Sequence, residues 1–433
     1  IEPLYGGTLP ISRGALVIGG GLSGMVAALN LAEQNFKVYL VEKEKQLGGN
    51  LRHIYHLLEE TDPQKQLKEL IDKVTQNPQI KIWLDSRIES IEGFIGNFKT
   101  KINSAGQTHE IEHGVVVVAM GAQEYKPTEY SYQQDPRIIT QRELEEKIAQ
   151  DQLTAQNIVM IQCVGSREGE RNYCSRICCT QAIKNAIKIK QKSPETEIYI
   201  LYRDIRTYGF REKYYRQARE LGVQFIRYEV AEKPELKIEN SDILVRIKDP
   251  IIQQQLALKA DLVVLAPAII PQDDAEEIAK MLKVPLTKEK FFLEAHMKLR
   301  PVDFATEGVF LCGLAHAPKT VEESIAQANA AAARAATVLA KKELKLDATI
   351  SEVVDENCDG CAYCIDPCPY NALTLIEYMR KGEIKKTVER NEALCKGCGV
   401  CMATCPKKGI YVRNFKLEQL QAMVEAALEV EAV

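Results

Sequence analysis

Two copies of one cysteine run constrain this chain more than anything else in it. Cys358-x2-Cys361-x2-Cys364-x3-Cys368-Pro369 is followed by Cys395-x2-Cys398-x2-Cys401-x3-Cys405-Pro406. Three closely spaced thiolates wrap three irons of one cubane, and the fourth cysteine of each run reaches across to the other cluster. Cys358, Cys361, Cys364 and Cys405 are therefore expected to hold one [4Fe–4S] cluster, and Cys395, Cys398, Cys401 and Cys368 a second. A zinc-only reading does not account for the doubled run. The repeat marks residues 350–412 as a compact module, followed by a terminal amphipathic helix over 413–433, with Leu417–Val433 as its apolar-patterned part.

The chain has 433 residues and 13 cysteines. Four more of these, Cys163, Cys174, Cys178 and Cys179, form a C-x10-C-x3-C-C motif, and only Cys312 stands alone, read as a small buried hydrophobe. A disulfide framework belongs to short secreted chains, so clustered thiols in a long one point to metal or redox chemistry. Thiolates are soft ligands, and on spacing alone the second motif suits either an iron–sulfur cluster or zinc. With 60 acidic against 56 basic residues, net charge −4, a nucleic-acid partner is not expected. The longest apolar run, Val115–Gly121, is far too short to span a bilayer. No basic region followed by an apolar stretch opens the chain, so no secretory signal is expected, and the start at Ile1 rather than Met leaves room for a preceding segment.

The rest reads as α/β. A strand at Ala15–Ile18 runs into Gly19-Gly20-Gly21-Leu22-Ser23-Gly24, then an Ala-rich helix, a strand at Lys37–Val41 ending on Glu42, and an apolar strand at Val115–Ala119. This is the GxGxxG context, in which glycines permit a tight turn and close approach of backbone to a pyrophosphate, and a helix N-terminus faces the phosphates. Glu42 is placed to hold ribose hydroxyls. Gly48-Gly49-Asn50-Leu51, Ala119-Met120-Gly121 and Gly308–Gly313 extend the series, which resembles the FAD domain of two-dinucleotide-binding flavoproteins of the thioredoxin reductase superfamily. That likeness implies FAD contacts at Gly19, Gly21, Leu22, Ser23, Gly24, Glu42, Lys43, Gly48, Gly49, Asn50, Leu51, Ala119, Met120, Gly121, Gly313, Leu314 and Ser324. One departure is Gly313-Leu314, where such flavoproteins carry Gly-Asp with the Asp on the ribityl chain. A second strand–helix–strand unit spans Asn157 to Tyr202. It continues through a helix near Glu212–Leu221 and a strand at Val223–Arg227 to a return strand at Asp261–Leu265. Residues 13–125 and 266–342 are read as a discontinuous FAD domain interrupted by this unit (150–265). Its first turn lacks a second GxGxxG and carries thiols instead, which opposes NAD(P)H binding. Arg203 and Arg206 are read as surface or flavin-side charges. His53 and His56, after the Gly48-Gly49 loop, are read as packing or flavin contacts. No C-x-x-C lies outside the doubled run, so a thioredoxin-reductase dithiol is not expected.

With Gln162–Arg167, Tyr173–Cys179, Asp204–Gly209 and Phe291–Asp303 added, the chain resembles, over nearly its whole length, the HdrA family, the iron–sulfur flavoprotein subunits of heterodisulfide reductase. The resemblance implies a thioredoxin-reductase-like α/β flavoprotein with a C-terminal α+β bacterial-type ferredoxin domain. It also implies a third [4Fe–4S] cluster at Cys163, Cys174, Cys178 and Cys179, and Lys184 near the isoalloxazine as a catalytic cation. On its residues alone Lys184 reads equally as a solvated lysine of a helix that also bears Lys188 and Lys190. The implied activity is that of an oxidoreductase bifurcating or confurcating electrons in a large cytoplasmic hetero-oligomer. Its partners would be HdrB- and HdrC-like redox subunits and a hydrogenase-, formate dehydrogenase- or ferredoxin-linked donor, with membrane association only through them. Two alternatives stand beside it: an NAD(P)H:ferredoxin-type oxidoreductase like the glutamate synthase small chain, and a relay scaffold that does not bifurcate.

Overall fold

In the computed structural model, which describes residues 5–59, 61–239, 242–380 and 382–430, the strands Gly14–Ile18 and Val115–Val118 are buried along their whole length. Strands covered on both faces need continuous apolar sequence, which Ala-Leu-Val-Ile and Val-Val-Val-Val supply. They sit inside a five-stranded parallel sheet ordered Val309–Leu311, Val115–Val118, Gly14–Ile18, Lys37–Val41 and Ile80–Trp83. The helix Leu22–Glu33 packs on it through Met25, Ala27, Ala28 and Leu31. Val309–Leu311 joins this sheet from beyond the second one, a parallel sheet ordered Ile138–Thr140, Leu262–Pro267, Asn157–Val164, Glu197–Tyr202 and Gln224–Arg227. A short antiparallel pair, Ala122–Glu124 with Ile269–Pro271, lies where the chain passes between the two sheets.

Each sheet also carries a three-stranded antiparallel meander, at 86–113 and 235–260, that the sequence reading passes over. In the first, a register shift between Ile88 and Ser90 breaks the two-residue alternation that would announce a strand. A nine-residue helix, Gln141–Ala149, was also not anticipated, although Thr140 and Glu143 close it with a reciprocal capping box.

The chain forms two compact units, Arg13–Val338 and the described residues up to Ser12 together with Leu339 onward. In the smaller one, Thr8–Pro10 pairs with Glu343–Lys345, a partnership invisible to local pattern. Ser351–Val353 pairs with Ile410–Val412, and Leu373–Arg380 with Glu383–Arg390 forms a long hairpin. The terminal helix runs Leu417–Val430; the last three residues of the expected span lie outside the described residues. No described helix is long and apolar enough to cross a membrane.

Candidate functional site

The turn after Gly14–Ile18 separates the jobs of its glycines. A Cβ on Gly24 would collide with the Gly19 carbonyl oxygen, so Gly24 lets helix and strand touch. Gly19 has φ +106° and lies against the Ala119–Met120 backbone. Gly21 is different: the nearest atom to a Cβ there is the Gly49 Cα at 4.0 Å. Its Cβ position faces open space, at the N-terminus of a helix with no side-chain cap, where N–H groups await an acceptor. Glu42 accepts from the Gly20 N–H at 2.6 Å and the Glu44 N–H at 2.8 Å, which pins its carboxylate at the strand end.

These groups border a cavity of about 870 Å³. Gly19, Gly21, Leu22, Ser23, Glu42, Lys43, Gly49, Asn50, Leu51, Ala119, Met120, Gly121, Leu314, Ser324 and Lys184 line it. Gly24, Gly48 and Gly313 lie behind the wall: Gly48 takes φ +117°, and a Cβ on Gly313 would run into the Ser23 hydroxyl. The Ser324 hydroxyl is buried without a hydrogen-bond partner, and Gly121 has no neighbour within 4 Å of a Cβ position. An unpartnered hydroxyl and an open backbone cradle fit a bound dinucleotide. His53 and Ile54 add to the wall.

Where the flavoprotein pattern has an Asp after Gly313, the structure brings in a cation. Lys319 lines the cavity and donates to the Gly313 carbonyl at 2.8 Å and the Ala317 carbonyl at 3.0 Å. Burial pulls its pKa down to about 8, against the pull of Glu323. The sequence reading missed Lys319. The signal available was Thr320-x-x-Glu323, the reciprocal cap of the Val321–Leu339 helix, which places the preceding lysine at that helix start.

Lys184 is not the solvated lysine of the alternative reading. Its ammonium donates to Glu145 Oε1 and to the His56 carbonyl, both at 2.7 Å, with the two side chains 8% and 0% exposed. Glu145 Oε1 also accepts from the Tyr55 N–H, and Oε2 has no partner. Burial lowers the Lys184 pKa while Glu145 opposes it. Burial and the nearby Lys184 charge push His56 down to about 4, so that ring is neutral. Glu145 lies on the unanticipated Gln141–Ala149 helix and was missed with it.

The helix Cys178–Lys192 begins on two thiols. Cys163 reaches them from the end of its strand, where a register shift after Ile161 and a left-handed backbone at Cys163 (φ +63°) turn its side chain out of the sheet pattern. Burial, then the neighbouring Cys179, pushes Cys163 up to about 11, while Arg167 and Arg203 oppose this. The hydrogen bond from Cys178 brings Cys179 down to about 7, and Cys178 itself is raised by that bond and by burial, with Cys163 and Cys174 acting on it too. Of the two arginines read as surface or flavin-side charges, Arg203 is half-buried and braces the Ser166 and Arg167 carbonyls, and Arg206 is exposed and pairs with Asp204 at 3.7 Å. Above this turn, the space over Gly165 is filled by the Tyr125 ring, on which Arg171 stacks at 4.1 Å.

In the smaller unit, Cys358, Cys361, Cys364 and Cys405 line one small void, and Cys368, Cys395, Cys398 and Cys401 line another. Backbone N–H groups of Ser351, Ala372 and Gly409 point at the sulfurs of Cys395, Cys368 and Cys405 at 3.2–3.4 Å. Thiols spread around a void suit a multi-iron body, whose four corners keep its ligands apart.

The fold and these sites define an iron–sulfur flavoprotein oxidoreductase. Family models for "pyridine nucleotide-disulphide oxidoreductase" and "4Fe-4S dicluster domain" match residues 14–162 and 357–409. Thioredoxin reductases of T. acidophilum (17% identity, TM-score 0.52) and Lactococcus lactis (16%, TM-score 0.54) share the fold over 76% of this chain and 98% and 99% of theirs. The chain is 33% identical to an HdrA-type iron–sulfur subunit of the CoB–CoM heterodisulfide reductase of Methanopyrus kandleri, over 87% of this chain and 72% of that one. It is 32% identical to the counterpart in Methanocaldococcus jannaschii, over 97% and 78%. A further 32% match, over 99% and 78%, is to the corresponding subunit of the H2:CoB-CoM heterodisulfide,ferredoxin reductase of Methanothermobacter marburgensis. The chain belongs to the HdrA family, the iron–sulfur flavoprotein subunits of heterodisulfide reductase.

Proposed function

We propose that this electron-transfer subunit bifurcates or confurcates electrons between low-potential ferredoxin-type clusters and a higher-potential acceptor on a partner subunit. The observation that carries the reading is a single helix. Cys178 and Cys179 open it, and Thr180, Gln181 and Lys184 on its next turns line the large cavity. A cluster on those thiols and a flavin in that cavity would be neighbours along one rigid element, which suits rapid one-electron exchange. Bound FAD supplies chemistry that takes electrons in pairs or singly, so one site can serve two acceptors. The name of the Methanothermobacter marburgensis relative, which pairs a heterodisulfide with ferredoxin, agrees with this division. The natural partners are then HdrB- and HdrC-like redox subunits and an electron donor, in a large hetero-oligomer. The test is the complex purified with its own partner subunits. Reduction of the low-potential acceptor should depend strictly on the presence of the high-potential one; independent reduction of either would make the chain a relay.

NAD(P)H alone should not reduce the isolated chain. Tyr125 and Arg171 fill the space over Gly165 that a nicotinamide dinucleotide's pyrophosphate would need. Stopped-flow absorbance on the FAD-loaded chain measures this directly, and rapid flavin bleaching without a partner would contradict it.

Lys184 and Glu145 make a paired prediction. Charge developing on a reduced flavin is stabilised by an ammonium in a dry site and opposed by a carboxylate. Lys184→Ala should lower the two-electron flavin potential, and Glu145→Gln, which frees the ammonium, should raise it. Every 30 mV, for such a couple, is about 1.4 kcal/mol. Lys184→Ala also strands a buried carboxylate, so it should lose about 3–5 kcal/mol of stability. Potentials unchanged in both variants would take the pair out of the flavin's surroundings.

A further inference from the structure

We infer that Arg203 and Thr207 donate hydrogen bonds to the sulfur atoms of a cluster held by Cys163, Cys174, Cys178 and Cys179, and that this shell raises its reduction potential. The inference rests on the reading that these four thiols bind a cluster.

Unpartnered donors gather around these thiols. Gln162 Nε2, Arg167 Nη1, Arg203 Nε and Thr207 Oγ1 are all buried and have no hydrogen-bond partner, the Gln162 Oε1 acceptor is unpartnered as well, and Gln162 and Thr207 are 0% and 1% exposed. Leaving a buried donor unpaired is costly, so several in one neighbourhood are unexpected unless an acceptor belongs there. Two short segments carry them. Gln162 and Arg167 flank Cys163 in sequence. Arg203 and Thr207 bracket the loop whose Asp204 carbonyl lies 3.6 Å from the Cys179 sulfur.

The arginines are held by other contacts, so their spare donors are not mobile surface groups. Arg167 Nη2 binds Asp204 at 2.6 Å, and Arg203 Nη1 binds the Arg167 carbonyl at 3.2 Å. Three cations, Arg167, Arg203 and Arg206, stand in this region, and Arg167 and Arg206 share Asp204 as their acid. Arg203 Nε and Thr207 Oγ1 have no acceptor within the protein. The inorganic sulfides and thiolates of an iron–sulfur cluster are acceptors of the right kind.

The sign follows from charge. Reduction makes a cluster one unit more negative, so hydrogen-bond donors and nearby cations hold the reduced form more tightly. Burial works the other way, and the four cysteines here are more enclosed than Cys361 and Cys398, which are exposed. Without its donors such an enclosed cluster would be hard to reduce. The shell offsets that cost and places the cluster where it can accept an electron from the adjacent cavity.

Arg203→Met keeps the side-chain stem and removes the donors; Thr207→Val is nearly isosteric and removes only a hydroxyl. Each full-length variant, anaerobically loaded, is titrated by redox potentiometry with EPR detection, alongside iron analysis. One cluster signal should move to lower potential, with a tenfold change in its reduction equilibrium, about 59 mV for a one-electron couple, in Arg203→Met. A smaller shift of the same sign is expected in Thr207→Val, with the ferredoxin-type signals unmoved. Full iron content with unchanged potentials in both variants would overturn the inference. So would loss of one cluster's iron from both, since the residues would then hold the cluster rather than tune it. Wild-type chain with iron for two clusters only would instead overturn the underlying reading of the four thiols, and the inference with it.

Discussion

Gly21→Val should yield a folded chain that no longer retains FAD. The backbone at Gly21 (φ −74°, ψ −173°) is extended and open to any residue. A side chain there meets no protein atom closer than 4.0 Å at Cβ, so the fold has no reason to object. What it would fill is the approach to the N-terminus of the Leu22–Glu33 helix, where a pyrophosphate would take backbone N–H bonds. Hydrogen bonds to a charged group contribute about 1.5–3 kcal/mol each, so losing two weakens binding by roughly a hundredfold or more. Gly24→Ala is the contrasting variant. Its methyl group would press into the Gly19 carbonyl, and it should lower the melting temperature sharply whether or not flavin is added. Flavin absorbance per chain and thermal melting of the two variants separate the roles. A Gly21→Val protein that purifies yellow with full flavin content would remove the dinucleotide from this turn.

Anaerobically reconstituted wild-type chain should hold about twelve irons and one FAD, and a Cys178→Ser/Cys179→Ser variant about eight irons. Cys178 and Cys179 share one helix start, and Cys179, Cys163 and Cys174 all act on Cys178 electrically, so the four are close in space. Removing two of four ligands should release that whole cluster. The ferredoxin-type clusters should survive, because their cysteines lie in the other compact unit around voids of their own. Iron and zinc analysis reads the result. Eight irons in the wild type, or zinc in place of the missing four, would leave Cys163, Cys174, Cys178 and Cys179 without a cluster.

How far local pattern carried depended on the range of the interaction involved. The parallel strands were legible because burial on both faces demands unbroken apolar runs, and Lys37–Val41 falls where the sequence puts it. The Glu212–Glu220 helix was legible too, its apolar positions Tyr214, Tyr215 and Ala218 falling on one face of a single element. The Ser86–His113 meander was not, since a bulge shifts its alternation and one face is solvent. Glu145 was missed because its importance lies in Lys184, 39 residues further on, and no spacing rule joins one helix to the helix packed against it. Lys319 was missed because its contact with the Gly313 carbonyl joins residues six apart through the fold rather than through a motif.

Sequence alone therefore determined the chemistry that short spacings encode. The doubled cysteine run, the GxGxxG turn with Glu42 behind it, and the absence of a second such turn are each set within a few residues, where chain geometry leaves little choice of arrangement. Only the tertiary structure decided which side chains meet across elements. It paired Lys184 with Glu145 rather than with water, set Lys319 at the Gly313 carbonyl, and joined Thr8–Pro10 to Glu343–Lys345. It also closed the turn over Gly165 with Tyr125, and left Arg203 Nε and the Thr207 hydroxyl buried without a partner. The physical reason is that these contacts are chosen by packing, in which burial forces each polar group to find a partner wherever the fold brings one, however far away it lies in the chain.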